Sequence, residues 1–164
     1  MPPAASEWVE LLGSFEGSEN SDARGALAAM GADAVEALID GLDHEHSRVR
    51  AHCAGLMDQI GDPRCLTALE RALEDPVADV RRRALHSIAC EHCKEAPLEV
   101  DRVALTVRHA LGDPSVRVRR VATHQLGLLP PDPRSADALR HLISDADTGI
   151  RSRALWSLGQ VTGE

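Results

Sequence analysis

Three stretches of fifteen residues align without gaps and constrain the fold more than any other feature of the chain. They are DPVADVRRRALHSIA (75–89), DPSVRVRRVATHQLG (113–127) and DADTGIRSRALWSLG (145–159). Two more copies are recognisable, DHEHSRVRAHCAGLM (43–57) with one extra residue in the turn and a degenerate SDARGALAAMG (21–31). The apolar anchors are spaced by 31, 38 and 32 residues: Val49, Val80, Val118 and Ile150. Repetition at this period predicts an array of stacked helical units.

Each copy has the pattern of one amphipathic helix that follows an aspartate turn. From the anchor of the third unit, apolar residues recur at i, i+4, i+5 and i+8: Val80, Ala84, Leu85 and Ile88. These positions form a single stripe on a helix. The Asp75 carboxylate can accept backbone N–H groups in the turn, and Pro76 suits a first helical position.

A second helix is predicted before each turn. These segments are rich in leucine and alanine at three- and four-residue spacing, and they cover 34–42, 64–73, 100–111 and 134–143. Because a lone helix pair cannot bury its stripe, neighbouring pairs must stack. Glycine stands where the helix should end in four of the five units, at Gly31, Gly61, Gly127 and Gly159. Glycine is typical of such ends because it tolerates the left-handed conformation.

The composition fits a helical core and excludes several classes of function. Hydrophobic residues make up 43% of the chain and aromatic residues 2%, so leucine, alanine, valine and isoleucine must build the core. The net charge of −8 argues against general affinity for nucleic acid or anionic membranes. No apolar run reaches the roughly 18 residues of a membrane span, and the N-terminus lacks a signal-peptide pattern. We therefore expect a cytoplasmic protein with reduced cysteines.

The units have the form Asp-Pro-x-x-x-Val-Arg-x-x-Ala-x-x-x-Leu-Gly and resemble HEAT repeats, of the short kind also found in phycobilisome-lyase-type proteins. The resemblance implies an all-α, right-handed α-solenoid of about five helix pairs, in a single domain over residues 1–164. The units are expected at 6–31, 32–61, 62–93, 96–129 and 132–162. In HEAT units the Val-Arg helix is the inner one and lines a concave groove. The long third spacing then places an edge loop within CEHCKEAPLEV (90–100).

An arginine directly follows each anchor. These residues are Arg50, Arg81, Arg119 and Arg151. The resemblance implies a structural ladder, in which each guanidinium bridges to the turn aspartate of a neighbouring unit through charge-assisted hydrogen bonds.

The positions two, three and six residues after the anchor avoid the apolar stripe and are expected to face the groove. The predicted partner-binding ridge consists of Arg24, His52, Arg82, Arg83, His86, Arg120, His124, Arg153 and Trp156. Arginine and tryptophan are favoured anchors of protein interfaces. The ridge predicts a non-catalytic scaffold module that binds another protein, through an acidic segment or a phosphate group. The alternative is a solvated face whose arginines pair with local carboxylates.

A Cys-x-x-Cys sequence provides the metal candidate, which consists of His86, Cys90 and Cys93. His86 and Cys90 are four residues apart on one helix face. Structural zinc sites have four ligands, usually with a second cysteine or histidine pair at a defined spacing. Cys53 and Cys65 lack that spacing. We therefore expect neither a metal nor a cofactor.

No catalytic motif is present, whether a nucleophile elbow, a glycine-rich phosphate loop or His-Glu-x-x-His. Deoxyhypusine hydroxylase, a HEAT-type enzyme, carries His-Glu dyads on its inner helices. The pairs at the matching positions here are Ala51-His52, Arg82-Arg83, Arg120-Val121 and Ser152-Arg153, so that activity is excluded. The chain is thus predicted not to be an enzyme.

Three further interpretations stay open beside the scaffold module. The resemblance to phycobilisome-lyase-type proteins implies an accessory subunit of a bilin-lyase-like enzyme as one alternative. A nucleic-acid-binding HEAT-like protein is less compatible with the acidic chain and its few aromatics. The final helix carries Trp156 and is followed by no further helix, which suggests a weak homodimer through the C-terminal edge.

Overall fold

Every regular element in the described part of the chain is helical. The computed structural model describes residues 3–14, 16–90, 92–93 and 98–163. The α-helices there are α1 (Ala5–Leu11), α2 (Gly17–Met30), α3 (Val35–Gly41), α4 (Ser47–Ile60), α5 (Leu66–Ala72), α6 (Ala78–Ala89), α7 (Arg102–Gly112), α8 (Val116–Leu126), α9 (Pro133–Leu142) and α10 (Thr148–Thr162). Short 3₁₀ turns, Gly31–Ala34 and Pro63–Cys65, lead into α3 and α5. The predicted all-α class is confirmed.

The helices follow one another in the order that the repeats predict. The segments before the aspartate turns form α3, α5, α7 and α9, and the Val-Arg or Ile-Arg segments form α4, α6, α8 and α10. Packing contacts join α1 to α2, α3 to α4, α7 to α8 and α9 to α10. Of the predicted edge loop, residues 91 and 94–97 lie outside the described residues, and the last two of these, 96 and 97, are also the first two residues of the predicted unit 96–129.

The chain forms two compact units. The first consists of Met1–Ile88 with His92–Leu98, and the second of Ala89–Glu91 with Glu99–Glu164. Helices α1 to α5 and most of α6 belong to the first unit, and α7 to α10 belong to the second. The single domain over residues 1–164 stays a prediction.

The apolar stripes are the core of both units. The four stripe residues of α6 and the three other anchors are 0% exposed: Val80, Ala84, Leu85, Ile88, Val49, Val118 and Ile150. Each large side chain of this kind contributes about 1.5–3 kcal/mol when it is fully buried. The spacing of apolar residues therefore located the core correctly.

Only two of the four predicted glycines end a helix with a positive φ. Gly31 and Gly61 have φ angles of 54° and 64°. Gly127 follows α8 with a φ of −80°, and an added Cβ would lie 2.6 Å from the Cβ of Ser157. Glycine is needed there because another helix approaches closely.

The prediction for Gly159 was wrong. This residue lies inside α10, which continues to Thr162 and ends at Gly163 with a φ of 73°. The Gly163 N–H donates to the Gly159 carbonyl at 2.9 Å. Since a left-handed glycine stands four residues further on, helical hydrogen bonding runs through Gly159 to reach it.

The turn aspartates cap the backbone before the helices that follow. The Val77 N–H donates to Asp75 Oδ1 at 2.7 Å, and the Ser115 N–H donates to Asp113 Oδ1 at 2.8 Å. The same bond forms in the turn before α10, where the Asp147 N–H donates to Asp145 Oδ1 at 2.8 Å. These side-chain bonds hold the direction in which α6, α8 and α10 begin.

Candidate functional site

The ladder arginines bind the backbone of their own turns. In each case Nη1 donates to the carbonyl six residues earlier, at 2.9, 2.8, 3.1 and 2.8 Å: Arg50 to His44, Arg81 to Asp75, Arg119 to Asp113 and Arg151 to Asp145. The carbonyls after the last turn of a helix have no partner within that helix. The arginines therefore stabilise the turns from within each unit, a contact that the resemblance did not imply.

Two of these arginines also approach the aspartate of the next turn. Arg50 binds Asp75 with two hydrogen bonds, Nε to Oδ2 at 2.7 Å and Nη2 to Oδ1 at 3.1 Å. Burial raises the pKa of Asp75, but the hydrogen bonds from Arg50 and Val77 outweigh it and hold the pKa below its usual value. In the second unit Arg119 Nε lies 3.6 Å from Asp145 Oδ2. These contacts support a structural role for the ladder.

Five of the predicted ridge residues meet around one pocket in the first unit. This first-unit pocket measures about 190 Å³ and is lined by Arg24, His52, Gly55, Leu56, Gln59, Arg82, Arg83 and His86. Helix α2 carries the first of these residues, α4 the next four and α6 the last three. The repeat register brings the five ridge side chains to one place because each of the five lies off the buried stripe of its helix.

Arg82 and Arg83 share one carboxylate. Arg82 Nη2 lies 2.6 Å from Asp79 Oδ1, and Arg83 Nε lies 3.1 Å from Asp79 Oδ2. The Arg83 side chain also lies against α4, where a Cβ added to Gly55 would be 3.1 Å from its Nη1. One aspartate for two guanidinium groups leaves an excess of positive charge at this wall of the pocket.

The pKa of His52 reflects its burial and the positive charge around the pocket. Burial, followed by the charges of Arg83, Arg24 and Arg48, lowers the pKa of His52 to about 4. Its Nδ1 atom is buried and has no hydrogen-bond partner among the described residues. The imidazole is therefore neutral at neutral pH, beside several cationic side chains.

The remaining ridge residues lie in the second unit and form what we call the second-unit surface, Arg120, His124, Arg153 and Trp156. Arg120 binds Asp147 with Nε–Oδ1 and Nη2–Oδ2 distances of 3.0 and 2.8 Å. A Cβ added to Gly149 would lie 3.1 Å from its Nε, so this guanidinium, like that of Arg83, lies beside a glycine.

An exposed aromatic residue completes the second-unit surface. The Arg153 guanidinium carbon lies 5.5 Å from the centroid of the Trp156 ring, which is a cation–π distance. The His124 ring centroid lies 5.6 Å from that of Trp156. Trp156 is 44% exposed and its neighbour Leu155 is 57% exposed. The weak homodimer through this end stays a prediction.

Asp58 joins the metal candidate, although sequence reasoning missed it. One ligand atom each of Asp58, His86, Cys90 and Cys93 lies within 4.8 Å of all the others. A signal for Asp58 existed in the repeat register. At the position nine residues after the anchor the other units have Ala89, Gly127 and Gly159, and only this one has a carboxylate.

The comparison with known families follows from this geometry of repeats. The HEAT-repeat description matches residues 6–89 and 104–164. The chain belongs to the HEAT-repeat family. No curated protein matches the sequence.

Solved structures show the same fold at low sequence identity. A chain of the complex of CpcE and CpcF of phycocyanin lyase from Nostoc sp. PCC7120 has a TM-score of 0.78 and 23% identity, over 93% of this HEAT protein and 96% of that chain. For YibA of Escherichia coli the TM-score is 0.67 at 16% identity, over 97% and 62% of the two chains. A designed armadillo repeat protein in complex with the peptide (KR)4 has a TM-score of 0.58 at 18% identity, over 96% and 81%. The predicted repeat-type α-solenoid class is confirmed.

One physical property follows from the helices themselves. Within the described residues, no helix combines the length and the apolar character that crossing a membrane requires.

Proposed function

We propose that this HEAT-repeat protein is a non-catalytic binding module that holds an acidic segment of a partner protein on its arginine and histidine side chains. The observation that carries the proposal is the first-unit pocket. There Arg24, Arg82 and Arg83 line a concavity around a histidine that is kept neutral. In a chain with a net charge of −8, such a local excess of arginine favours an anionic ligand.

The chemistry of the pocket suits carboxylates. The planar guanidinium group binds a carboxylate through two parallel hydrogen bonds, and it remains charged at every relevant pH. Asp79 already accepts hydrogen bonds from Arg82 Nη2 and Arg83 Nε. An incoming carboxylate must therefore bind the guanidinium N–H groups that do not donate to Asp79. A carboxylate next to His52 would also favour its protonated form, which adds a donor to the site.

The second-unit surface offers a related but more apolar chemistry. Arg153 and the half-exposed Trp156 lie together, and arginine and tryptophan are enriched among the residues that dominate binding energy. The surface fits a segment that places an apolar residue beside an acidic one.

A defined probe tests the proposal. We expect a fluorescent (DE)4 peptide to bind the full chain, and the double variant Arg82→Ala/Arg83→Ala to bind it at least about tenfold more weakly, since charge-assisted hydrogen bonds are lost. The matched control is Arg71→Ala/Arg140→Ala, which removes the same charge from exposed side chains of α5 and α9. Equal affinity of the two double variants would refute the proposal, and so would a wild-type chain that does not bind the probe.

The affinity should also respond to Arg24→Ala. This residue contributes from α2, a different helix from the other two arginines, so its loss tests the pocket as a unit. If only the α6 variants weakened binding, the site would be a single helix face and the pocket would be the wrong description.

A second candidate is an accessory subunit of a bilin-lyase-like enzyme. It is favoured by the TM-score of 0.78 with a chain of the CpcE–CpcF complex of phycocyanin lyase, over 93% of this chain. The test is co-expression with a phycocyanin-type carrier protein and a bilin source. Covalent tetrapyrrole absorbance on the carrier, dependent on this chain, would support this function, and its repeated absence would exclude it.

A further inference from the structure

We propose that Asp58, His86, Cys90 and Cys93 form a zinc-binding site. The four side chains supply a carboxylate oxygen, an imidazole nitrogen and two thiol sulfurs, all within 4.8 Å of one another. Zinc takes this mixture of ligands and prefers four of them in tetrahedral geometry. The sequence predicted no metal because it showed three candidate ligands, and the fourth comes from another helix.

His86 already contacts two of the other ligands in the first unit. His86 Nε2 lies 3.4 Å from Asp58 Oδ2 and 3.7 Å from Cys93 Sγ. The same imidazole nitrogen thus faces both a carboxylate and a thiol. One cation between these three atoms would replace the separate contacts by coordination bonds of about 2.0–2.3 Å, which requires only small side-chain movements.

The local backbone explains why the four groups converge. Helix α6 ends at Ala89, and Cys90 is the next residue, one helical turn after His86. Cys93 follows within a turn. Asp58 lies near the end of α4 and is only 6% exposed. The packing around α4 thus holds the Asp58 carboxylate beside His86, at 3.4 Å from the imidazole nitrogen.

The donor set selects among metal ions. Thiolates are soft ligands that disfavour magnesium and calcium, whereas imidazole and thiolate together suit zinc. The other two cysteines are not alternatives to this pair. Cys53 and Cys65 are buried, and their burial raises the pKa of each thiol, to about 12 and about 11. Neither thiol belongs to the cluster of ligand atoms around His86.

The test uses the full chain, reduced and stripped of metal by a chelator. We expect native mass spectrometry to show one zinc ion per chain after addition of zinc. Cobalt should give the near-ultraviolet charge-transfer band of a cobalt–thiolate bond and the visible bands of tetrahedral cobalt, and zinc should then displace it. Retention of no metal, or a cobalt spectrum without the thiolate band, would overturn the proposal.

Variants assign the ligands. Cys93→Ser, Cys90→Ser and Asp58→Asn should each weaken zinc binding by at least about tenfold, which is the scale of loss even for groups outside the coordination sphere. The matched control is Cys65→Ala, a thiol removed outside the cluster, which should bind zinc as the wild type does. Unchanged affinity in Cys93→Ser, an exposed position that does not depend on core packing, would refute the site, and unchanged affinity in Asp58→Asn would refute the four-ligand set.

The zinc site and the first-unit pocket share His86, so the variant that separates the two proposals is Cys93→Ser. Cys93→Ser removes a zinc ligand and leaves Arg24, Arg82 and Arg83 in place. We therefore expect it to lose zinc while it still binds the (DE)4 peptide. If the wild-type chain bound zinc but not the (DE)4 peptide, the metal site would be supported and the proposed function refuted. Each proposal can therefore be refuted without the other.

Discussion

Replacing Asp75 by asparagine should destabilise the first unit much more than the same change at an exposed aspartate. The Asp75 and Arg50 side chains are 9% and 14% exposed, and their closest atoms are 2.7 Å apart. Breaking a buried ion pair costs about 3–5 kcal/mol because it leaves an uncompensated charge. Arg50 keeps its bonds to the carbonyls of His44 and Glu45. We therefore expect Asp75→Asn to lower the free energy of unfolding by about 2–3 kcal/mol, at or below the lower end of the range for a broken buried pair.

The assay is urea unfolding followed by far-ultraviolet circular dichroism, with Asp43→Asn as the matched control. Asp43 lies 3.3 Å from Arg71, and both side chains are more than half exposed. Exposed pairs contribute about 0–1 kcal/mol, so the control should change the free energy of unfolding by less than about 1 kcal/mol.

A partner variant refines the test. Arg50→Met should destabilise the Asp75→Asn variant less than it destabilises the wild type, because only in the wild type does it also break the ion pair. The bonds from Arg50 to the carbonyls of His44 and Glu45 are lost in both backgrounds. The reasoning would be refuted if Asp75→Asn cost no more than Asp43→Asn, or if Arg50→Met cost as much in the Asp75→Asn variant as in the wild type.

Two further predictions concern pH and glycine packing. Because the folded pKa of His52 is about 4 and the unfolded value is about 6.5, the unfolded chain binds a proton between these values that the folded chain does not. Stability should fall as the pH drops through that window, and His52→Asn should flatten the decline in urea titrations; an unchanged slope would contradict the neutral imidazole. Gly127→Ala should lower the melting temperature, since its Cβ would lie 2.6 Å from Ser157 Cβ. Gly25→Ala, in α2 with nothing within 4 Å of an added Cβ, should raise it by the equivalent of about 0.5–1 kcal/mol, and loss of stability in both variants would refute the packing argument.

The helical architecture of this protein could be predicted from local sequence pattern. The anchors and their stripes predicted the order of the helices and the buried residues, because an amphipathic helix has to bury the residues at its own spacing. The turn aspartates were also readable, since their hydrogen bonds reach only two residues along the chain. The prediction that α10 ends at Gly159 was wrong, and it shows where local pattern is insufficient. Two glycines, Gly159 and Gly163, compete to end α10, and local pattern does not decide between them.

What the tertiary structure decided is which distant side chains meet. Asp58 and His86 are 28 residues apart in the sequence, and only the packing of α4 against α6 places their atoms 3.4 Å apart. The same holds for Arg83 beside Gly55 and for Gly127 beside Ser157. Helical periodicity specifies the face on which a residue lies, whereas the meeting of two faces depends on how side-chain volumes interlock between helices. The sequence alone therefore determined the helix pairs and their buried stripes, and the packing of helices determined the pocket around His52 and the cluster of Asp58, Cys90 and Cys93 around His86.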